Sequence, residues 1–265
     1  MPIFEPFNRL GTTPYGQIIY NMHDSVVGRS IEHYEEYADH ETSVLHQIVQ
    51  PGWHVVEVGS NIGAQTLYLS QRVGPEGAVF AFEPQRILFQ TLCGTLALNS
   101  ITNTFCWNLA AGAEPGELMF PPVDYSRPGD HNGTKAVTDN GGEVVPVVTI
   151  DSFKLQRCDF LRVNSPGRLP EVIQGAAETL ERCNPIVYLE CSGEAAEAEA
   201  ALIRQLHELD YAMYWHNSPL FNPDNHAGNP ENIFEDRGLR NMLCFGRSQQ
   251  VDLTGFEPVA VPRAA

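Results

Sequence analysis

Apolar runs and polar punctuation alternate along this chain at a spacing that predicts strands and helices in turn. The run from Val55 to Val58 reads as a buried strand, and it stops at Gly59-Ser60-Asn61-Ile62-Gly63. Glycines there let the backbone turn sharply and approach a ligand. Ala64 to Arg72 follows as a helix, with Leu67, Leu69 and Val73 on its apolar pattern, and Gly74-Pro75-Glu76-Gly77 ends it. Ala78 to Phe82 reads as a second strand ending in Glu83, Arg86 to Asn99 as a second helix, and Thr104 to Leu109 as a third strand. The alternation resumes with strands at Val144–Ile150, Phe160–Val163 and Ile186–Glu190 and helices at Glu171–Arg182 and Ala195–Leu209. Tyr211–Trp215 and Met242–Phe245 are the final strands. Strand and helix alternating in this way predict a mostly parallel, doubly wound α/β sheet with helices on both faces.

Residues 1–50 precede that pattern and read as an extension. Tyr15–Tyr20 looks like a strand or hairpin arm, and Ile31–Val49 like one helix with Val44, Leu45, Ile48 and Val49 in a stripe. Glu32, Glu35, Glu36, Asp39 and Glu41 then fall mostly on wet faces. His33, His40 and His46 contain no i, i+4 pair, so no metal site is expected. Gly112–Gly142 loosens into Gly, Pro, Asp and Asn, and a loop of that length inside a compact domain is often functional. Asn217–Asn232 is a second irregular excursion. The chain therefore divides into an extension (1–50), a domain (51–248) and a loose surface tail (249–265).

Charge narrows the partners. The 265 residues carry 33 acidic and 16 basic side chains, a formal net charge of −17, which disfavours nucleic acid because phosphate binding relies on Lys and Arg. No apolar run approaches the ~20 residues that span a bilayer, and Met1-Pro2-Ile3-Phe4-Glu5 lacks a basic leader region. A cytoplasmic protein with no membrane partner is expected. The six cysteines are scattered without a Cys-x-x-Cys pair and read as reduced thiols.

The glycine turn is the candidate chemistry. Gly59 and Gly63 are separated by three residues, with no third glycine completing Gly-x-Gly-x-x-Gly, which weakens a dinucleotide and hence a dehydrogenase. A cofactor without phosphates can share the turn with Ser60 and Asn61, and S-adenosylmethionine fits that description. Glu83, at the end of the second strand, could accept both ribose hydroxyls. Glu57, near the end of the first, could meet the cofactor's amino-acid end. The plainer alternative is a tight strand-to-helix turn with Glu83 capping the next helix.

From about Gly28 to Gly246 the chain resembles the FkbM-type methyltransferases. Glu57-Val58-Gly59-Ser60-Asn61-Ile62-Gly63 is similar to that family's cofactor turn, and Phe80-Ala81-Phe82-Glu83-Pro84 to its ribose-binding strand end. Asn99, Asn108-Leu109-Ala110, Val148–Ser152, Gly175-Ala176 and Asn241–Cys244 also match. The resemblance implies a seven-stranded Rossmann-like sheet, S-adenosylmethionine as cofactor, and methyl transfer mostly to oxygen. It points to Glu57, Gly59, Ser60, Asn61, Gly63, Thr66, Glu83, Pro84, Asn108 and Ala110 as cofactor residues. The departure is Phe160-Leu161-Arg162-Val163-Asn164-Ser165-Pro166-Gly167-Arg168-Leu169, where family members usually read Lys-Ile-Asp-Val-Glu-Gly-x-Glu. Arg162 replaces lysine, and three carboxylates are gone. Asn164 can hydrogen-bond but cannot take a proton, so a base at that position and a divalent metal are not expected.

Asn164, His131 and Glu190 are the catalytic candidates, with Tyr125, His216 and Asn217 as further polar groups near strand ends. The first reading is metal-free O-methylation of a small-molecule or sugar-like hydroxyl. The alternative is a methyltransferase fold that binds the cofactor but has lost or changed the chemistry, serving as a binding or regulatory partner. A small-molecule acceptor is the expected partner, and homo-oligomerisation is left open.

Overall fold

The computed structural model describes residues 6–137, 141–165, 167–191, 195–247, 249 and 256–262. A hairpin, β1 (Asn8–Thr13) and β2 (Gly16–Asn21), and two helices, α1 (Val27–Tyr34) and α2 (Asp39–Ile48), precede the glycine turn. Then come β3 (His54–Val58), α3 (Ala64–Val73), β4 (Ala78–Phe82), α4 (Arg86–Leu98) and β5 (Thr104–Trp107). β6 (Ala110–Ala111), β7 (Gly116–Phe120) and β8 (Glu143–Val148) form a separate small sheet. The chain continues through β9 (Phe160–Val163), α5 (Leu169–Gln174), α6 (Ala177–Cys183), β10 (Ile186–Glu190), α7 (Ala196–Glu208), β11 (Tyr211–Pro219), β12 (Gly238–Gly246) and β13 (Glu257–Pro258).

The main sheet has eight strands in the order β13-β11-β12-β10-β9-β3-β4-β5. Five of them, β10, β9, β3, β4 and β5, run parallel, and β12 is antiparallel to both its neighbours. After β3 the chain winds outward through β4 and β5, then returns to the other side of β3 for β9. The strand order reverses between β3 and β9, which opens a crevice at their carboxyl ends.

Side-chain alternation sorts the two faces. Val56, Val58, Leu161, Val163, Val187 and Leu189 pack against residues of α5, α6 and α7. Val55, Phe160, Tyr188 and Leu243 belong to the opposite core, beneath α2 and α3. By the same period of two, Glu57, Arg162, Glu190 and Asn241 lie on that second face, near the strand ends.

Several expectations are corrected. Ile31–Val49 is two helices, because Glu35 and Ala38 take left-handed backbone (φ 57 and 50) between them. Glu36 and Glu41 are buried, at 7% and 0% exposure, rather than wet. Glu36 accepts from the Asn222 side chain (3.0 Å) and the His226 N–H (2.8 Å), tying the link between α1 and α2 to the 217–232 excursion. The helix over Glu171–Arg182 is also two, since the chain bends at Gly175, where a Cβ would meet the Gly112 carbonyl oxygen at 2.0 Å. Part of the 112–142 loop is β7, paired with β8. The sheet gains an eighth strand from the tail: Glu257 and Pro258 pair with β11, and Val259 is buried beside them. Residues 250–255 and Pro166 lie outside the described residues. All six cysteines are free, and no described helix is long and apolar enough to cross a membrane.

Candidate active site at the sheet switch point

Gly59 leaves β3 with φ +79, and its N–H and that of Ser60 both donate to the Phe82 carbonyl, so the turn is pinned to the end of β4. Its close neighbour is the chain itself: a Cβ on Gly59 would lie 1.8 Å from the Asn164 carbonyl oxygen. An L side chain meets both that clash and a disfavoured φ. Gly59→Ala should therefore lose at least about 2 kcal/mol of stability, which thermal unfolding registers as a fall of roughly 4–8 °C in Tm.

Glu83 ties the turn to the next helix. Its Oε2 accepts from the Asn61 N–H and its Oε1 from the Gln85 N–H, each at 2.8 Å. Burial raises its carboxyl from 4.5 to about 7, those two N–H groups pulling it partly back. The Asn108 amide donates to the carbonyls of Glu83 and Pro84, which fixes this strand end.

Beneath the turn sits a buried charged cluster that sequence reasoning missed. Arg162 Nη2 lies 3.1 Å from Glu41 Oε2 and its Nη1 lies 3.4 Å from Glu57 Oε1. The Thr66 hydroxyl donates to Glu57 Oε2 at 2.5 Å, and the Asn241 amide to Glu41 Oε1 at 2.8 Å. Burial raises the Glu57 carboxyl against the opposing pull of Arg162. Burial also works against the Arg162 charge, but Glu41, Glu57 and Glu190 outweigh it and hold the guanidinium proton more firmly than usual. The available signal was a lone arginine in the apolar strand Phe160-Leu161-Arg162-Val163, because a buried charge demands partners.

Three cavities meet at Asn164 and Asn132. One of 50 Å³ is lined by Gly59, Glu83, Pro84, Ala110, Asn164 and the Asn132 and Thr134–Ala136 stretch, among others. One of 10 Å³ lies between Glu57, Ser60, Asn61, Gln65 and Arg162. The third, 240 Å³, includes Tyr37, Asp130, Lys135, Glu190, Leu220 and Arg237 in its walls. By register Asn164 and Glu190 follow the paired residues Val163 and Leu189, so they are neighbours on adjacent strands. Desolvation raises the Glu190 carboxyl to about 7, with Glu41 pushing the same way and Arg162 and the Asn164 side chain pulling back.

The sequence candidates thus separate into groups. Glu57, Gly59, Ser60, Asn61, Glu83, Pro84, Ala110, Asn164 and Glu190 line the three cavities, while Gly63, Thr66 and Asn108 support them from outside. His131 lines none of the three. Its N–H donates to Asp24 at 3.1 Å, its ring Nδ1 stands 3.8 Å from the same carboxylate, and its carbonyl accepts from Gln85. That arrangement holds the 125–134 loop on the extension. His216 is bound to the Tyr188 hydroxyl at 2.7 Å, also away from these walls. Tyr125 lines an open groove of 840 Å³, with Phe7, which shares Pro84, Gln85 and Phe120 with the 50 Å³ cavity, and Asn217 lines another surface hollow with Arg240.

The family described as Methyltransferase FkbM domain matches residues 57–213, from the glycine turn into β11. The chain belongs to the FkbM methyltransferase family. An FkbM methyltransferase from Methylobacillus flagellatus KT is 14% identical with a TM-score of 0.48, over 76% of this chain and 50% of that one. This chain therefore spans half the length of that protein. A putative transferase, PH0793, from Pyrococcus horikoshii is 9% identical with a TM-score of 0.51, over 91% and 73% of the two chains. Trm5b from Pyrococcus abyssi is 11% identical with a TM-score of 0.50, over 92% and 56%. At such identities the likeness is one of fold. No curated protein sequence matches the chain. The FkbM assignment accords with the Rossmann-like order of the sheet, the tail's β13 being an added edge.

Proposed function

We propose that this protein is an S-adenosylmethionine-dependent O-methyltransferase acting on a small hydroxylated molecule. The observation that carries the reading is the buried Glu83 carboxylate, oriented by backbone N–H groups at a cavity that shares Asn164 with the chamber holding Glu190. A carboxylate with one backbone donor on each oxygen keeps lone pairs for two adjacent ribose hydroxyls. The donor set thus fits an adenosyl cofactor. The space does not yet, since 50 Å³ lies beside Glu83 and a ligand of that size needs about 300 Å³ or more.

When bound, S-adenosylmethionine supplies a sulfonium methyl group, which an acceptor oxygen takes as the sulfur leaves as a thioether. Glu190 takes the hydroxyl proton, and a carboxyl titrating near 7 is matched to that task at neutral pH. Asn164, one strand over, can only donate or accept hydrogen bonds, and it orients Glu190 and the acceptor. A single carboxylate from β10 thereby stands in for the three missing from the Arg162–Leu169 loop. A chamber of 240 Å³ and a net charge of −17 favour a small acceptor over a nucleic acid.

Calorimetry with S-adenosylhomocysteine tests the donor half. Wild-type protein should bind, and Glu83→Ala should weaken binding by about 100-fold, the loss of two charge-assisted hydrogen bonds. Ionised Glu83 is the form that accepts hydroxyls, so affinity should fall as pH drops below about 7 and level off above it. Glu83→Ala should remove that dependence. A wild-type protein that binds no adenosyl compound sinks the reading.

Asn164 standing where relatives carry aspartate favours a second reading, a protein that binds the donor without transferring its methyl group. Turnover of any hydroxylated acceptor, lost in Glu83→Ala, would remove it.

A further inference from the structure

The 10 Å³ cavity at the glycine turn and the 240 Å³ chamber at Glu190 have three lining residues in common, Tyr37, Asn132 and Asn164. A methyl group passing from donor to acceptor crosses that boundary. Tyr37 comes from outside the matched segment 57–213, in the link between α1 and α2 where Glu35 and Ala38 take left-handed backbone. Its ring packs against two cores at once, one containing Ile31 and Ile62, the other Val26, Leu220 and Phe234. A ring gripped on two sides keeps one place. Its hydroxyl has no hydrogen-bond partner among the described residues, and it is not sealed from solvent, so it is open to a ligand.

Burial raises the Tyr37 phenol well above its usual value, and Glu190 is the charge that adds most to that rise. The group therefore keeps its proton through the physiological range. No hydrogen bond joins Tyr37 to Glu190, whose carboxyl is served by the Asn164 side chain. An O–H donor and a carboxylate that face one chamber without meeting suit a group that both accepts and donates. An alcohol does so and keeps a lone pair to spare: one pair accepts from Tyr37, the proton goes to Glu190, and the other pair attacks. A neutral amine has a single lone pair. Once that pair accepts from Tyr37 it cannot attack, and if it attacks, the phenol proton is left without a partner.

We infer that Tyr37 selects an oxygen acceptor over a nitrogen one, an inference that rests on the methyl-transfer reading above and deepens it. As Glu190 takes the proton, the free lone pair of the oxygen forms the new C–O bond. The C–S bond breaks, its electrons remaining on sulfur. The Tyr37 O–H holds the other lone pair throughout and so fixes the direction of attack. Its proton is not transferred.

The test follows S-adenosylhomocysteine release by the wild type and Tyr37→Phe. Two acceptors are compared: the methyl glycoside or simple polyol that turns over fastest, and its counterpart with an amine in place of the methylated hydroxyl. Phenylalanine keeps the ring in both cores, so S-adenosylhomocysteine affinity, measured by calorimetry, should stay within about twofold. For the alcohol, kcat/KM should fall about tenfold, the worth of one hydrogen bond. For the amine it should hold or rise, so that the preference for oxygen falls about tenfold. A merely structural role would lower both acceptors together and leave their ratio alone. If the two proteins prefer the alcohol to the same degree, whether Tyr37→Phe loses nothing or loses both acceptors alike, the inference is overturned. Failure of the wild type to methylate any hydroxylated acceptor is a different result, and it refutes the O-methyl transfer reading itself.

Discussion

Glu190→Gln should lower kcat by about 10²- to 10⁴-fold, the range that a positioned general base contributes. The rate is to be followed as S-adenosylhomocysteine release with whichever hydroxylated acceptor turns over fastest. Glutamine keeps the size and the hydrogen-bonding edge but cannot take a proton. In the wild type the active form is the carboxylate, so kcat should rise with pH through about 7 and then level, following the carboxyl that burial has pushed up. The glutamine variant should be flat over the same range. Donor affinity should stay within about twofold, because Glu190 lines the 240 Å³ chamber and neither of the two cavities at the glycine turn. A variant with the wild-type rate and pH profile would remove Glu190 from the chemistry and leave orientation by Asn164 as the main contribution.

The parts of this chain that sequence reasoning reads well are those governed by local period. β3, α3, β4 and α4 fall within a residue or two of expectation, because each is a contiguous apolar pattern closed by glycine, proline or an acidic end. The breaks in Ile31–Val49 and Glu171–Arg182 were hidden because their causes are distant in sequence. Gly175 bends against the Gly112 backbone, and Glu36 is drawn inward by Asn222 and the His226 N–H, 186 and 190 residues away. Strands β7 and β13 escaped because two to five residues among prolines and glycines carry little periodic signal.

The site divides in the same way. Gly59, Asn61 and Glu83 announce themselves because one turn and one strand end hold them together. Gly59 makes a further point: the sequence reading assigned its missing side chain to a ligand's approach, whereas the atom that requires it is the Asn164 carbonyl oxygen. Glu41, Gln65, Arg162 and Asn241 come from four separate elements, and only the sheet order β12-β10-β9-β3 under α2 and α3 assembles them.

That assembly makes Arg162→Met the most damaging single change expected for stability. It leaves Glu41 and Glu57, both 0% exposed, buried without their cation. Removing one partner of a buried ion pair costs about 3–5 kcal/mol, which corresponds to a fall in Tm of roughly 8–15 °C for a chain of this size. The loss should depend on pH, and its sign can be fixed. Burial already raises the Glu57 carboxyl in the folded state, and without Arg162 it rises further above its unfolded value. A raised acid contributes least destabilisation where both states are protonated, so the difference in Tm between variant and wild type should be smallest near pH 4.5 and widen as pH rises toward 8. Pairing Arg162→Met with Glu41→Gln should recover part of the loss, since one fewer charge is stranded, whereas Arg162→Lys alone should cost far less because it keeps the cation. Equal losses in the lysine and methionine variants would mean that packing of the arginine side chain, rather than its charge, holds α2 to the sheet.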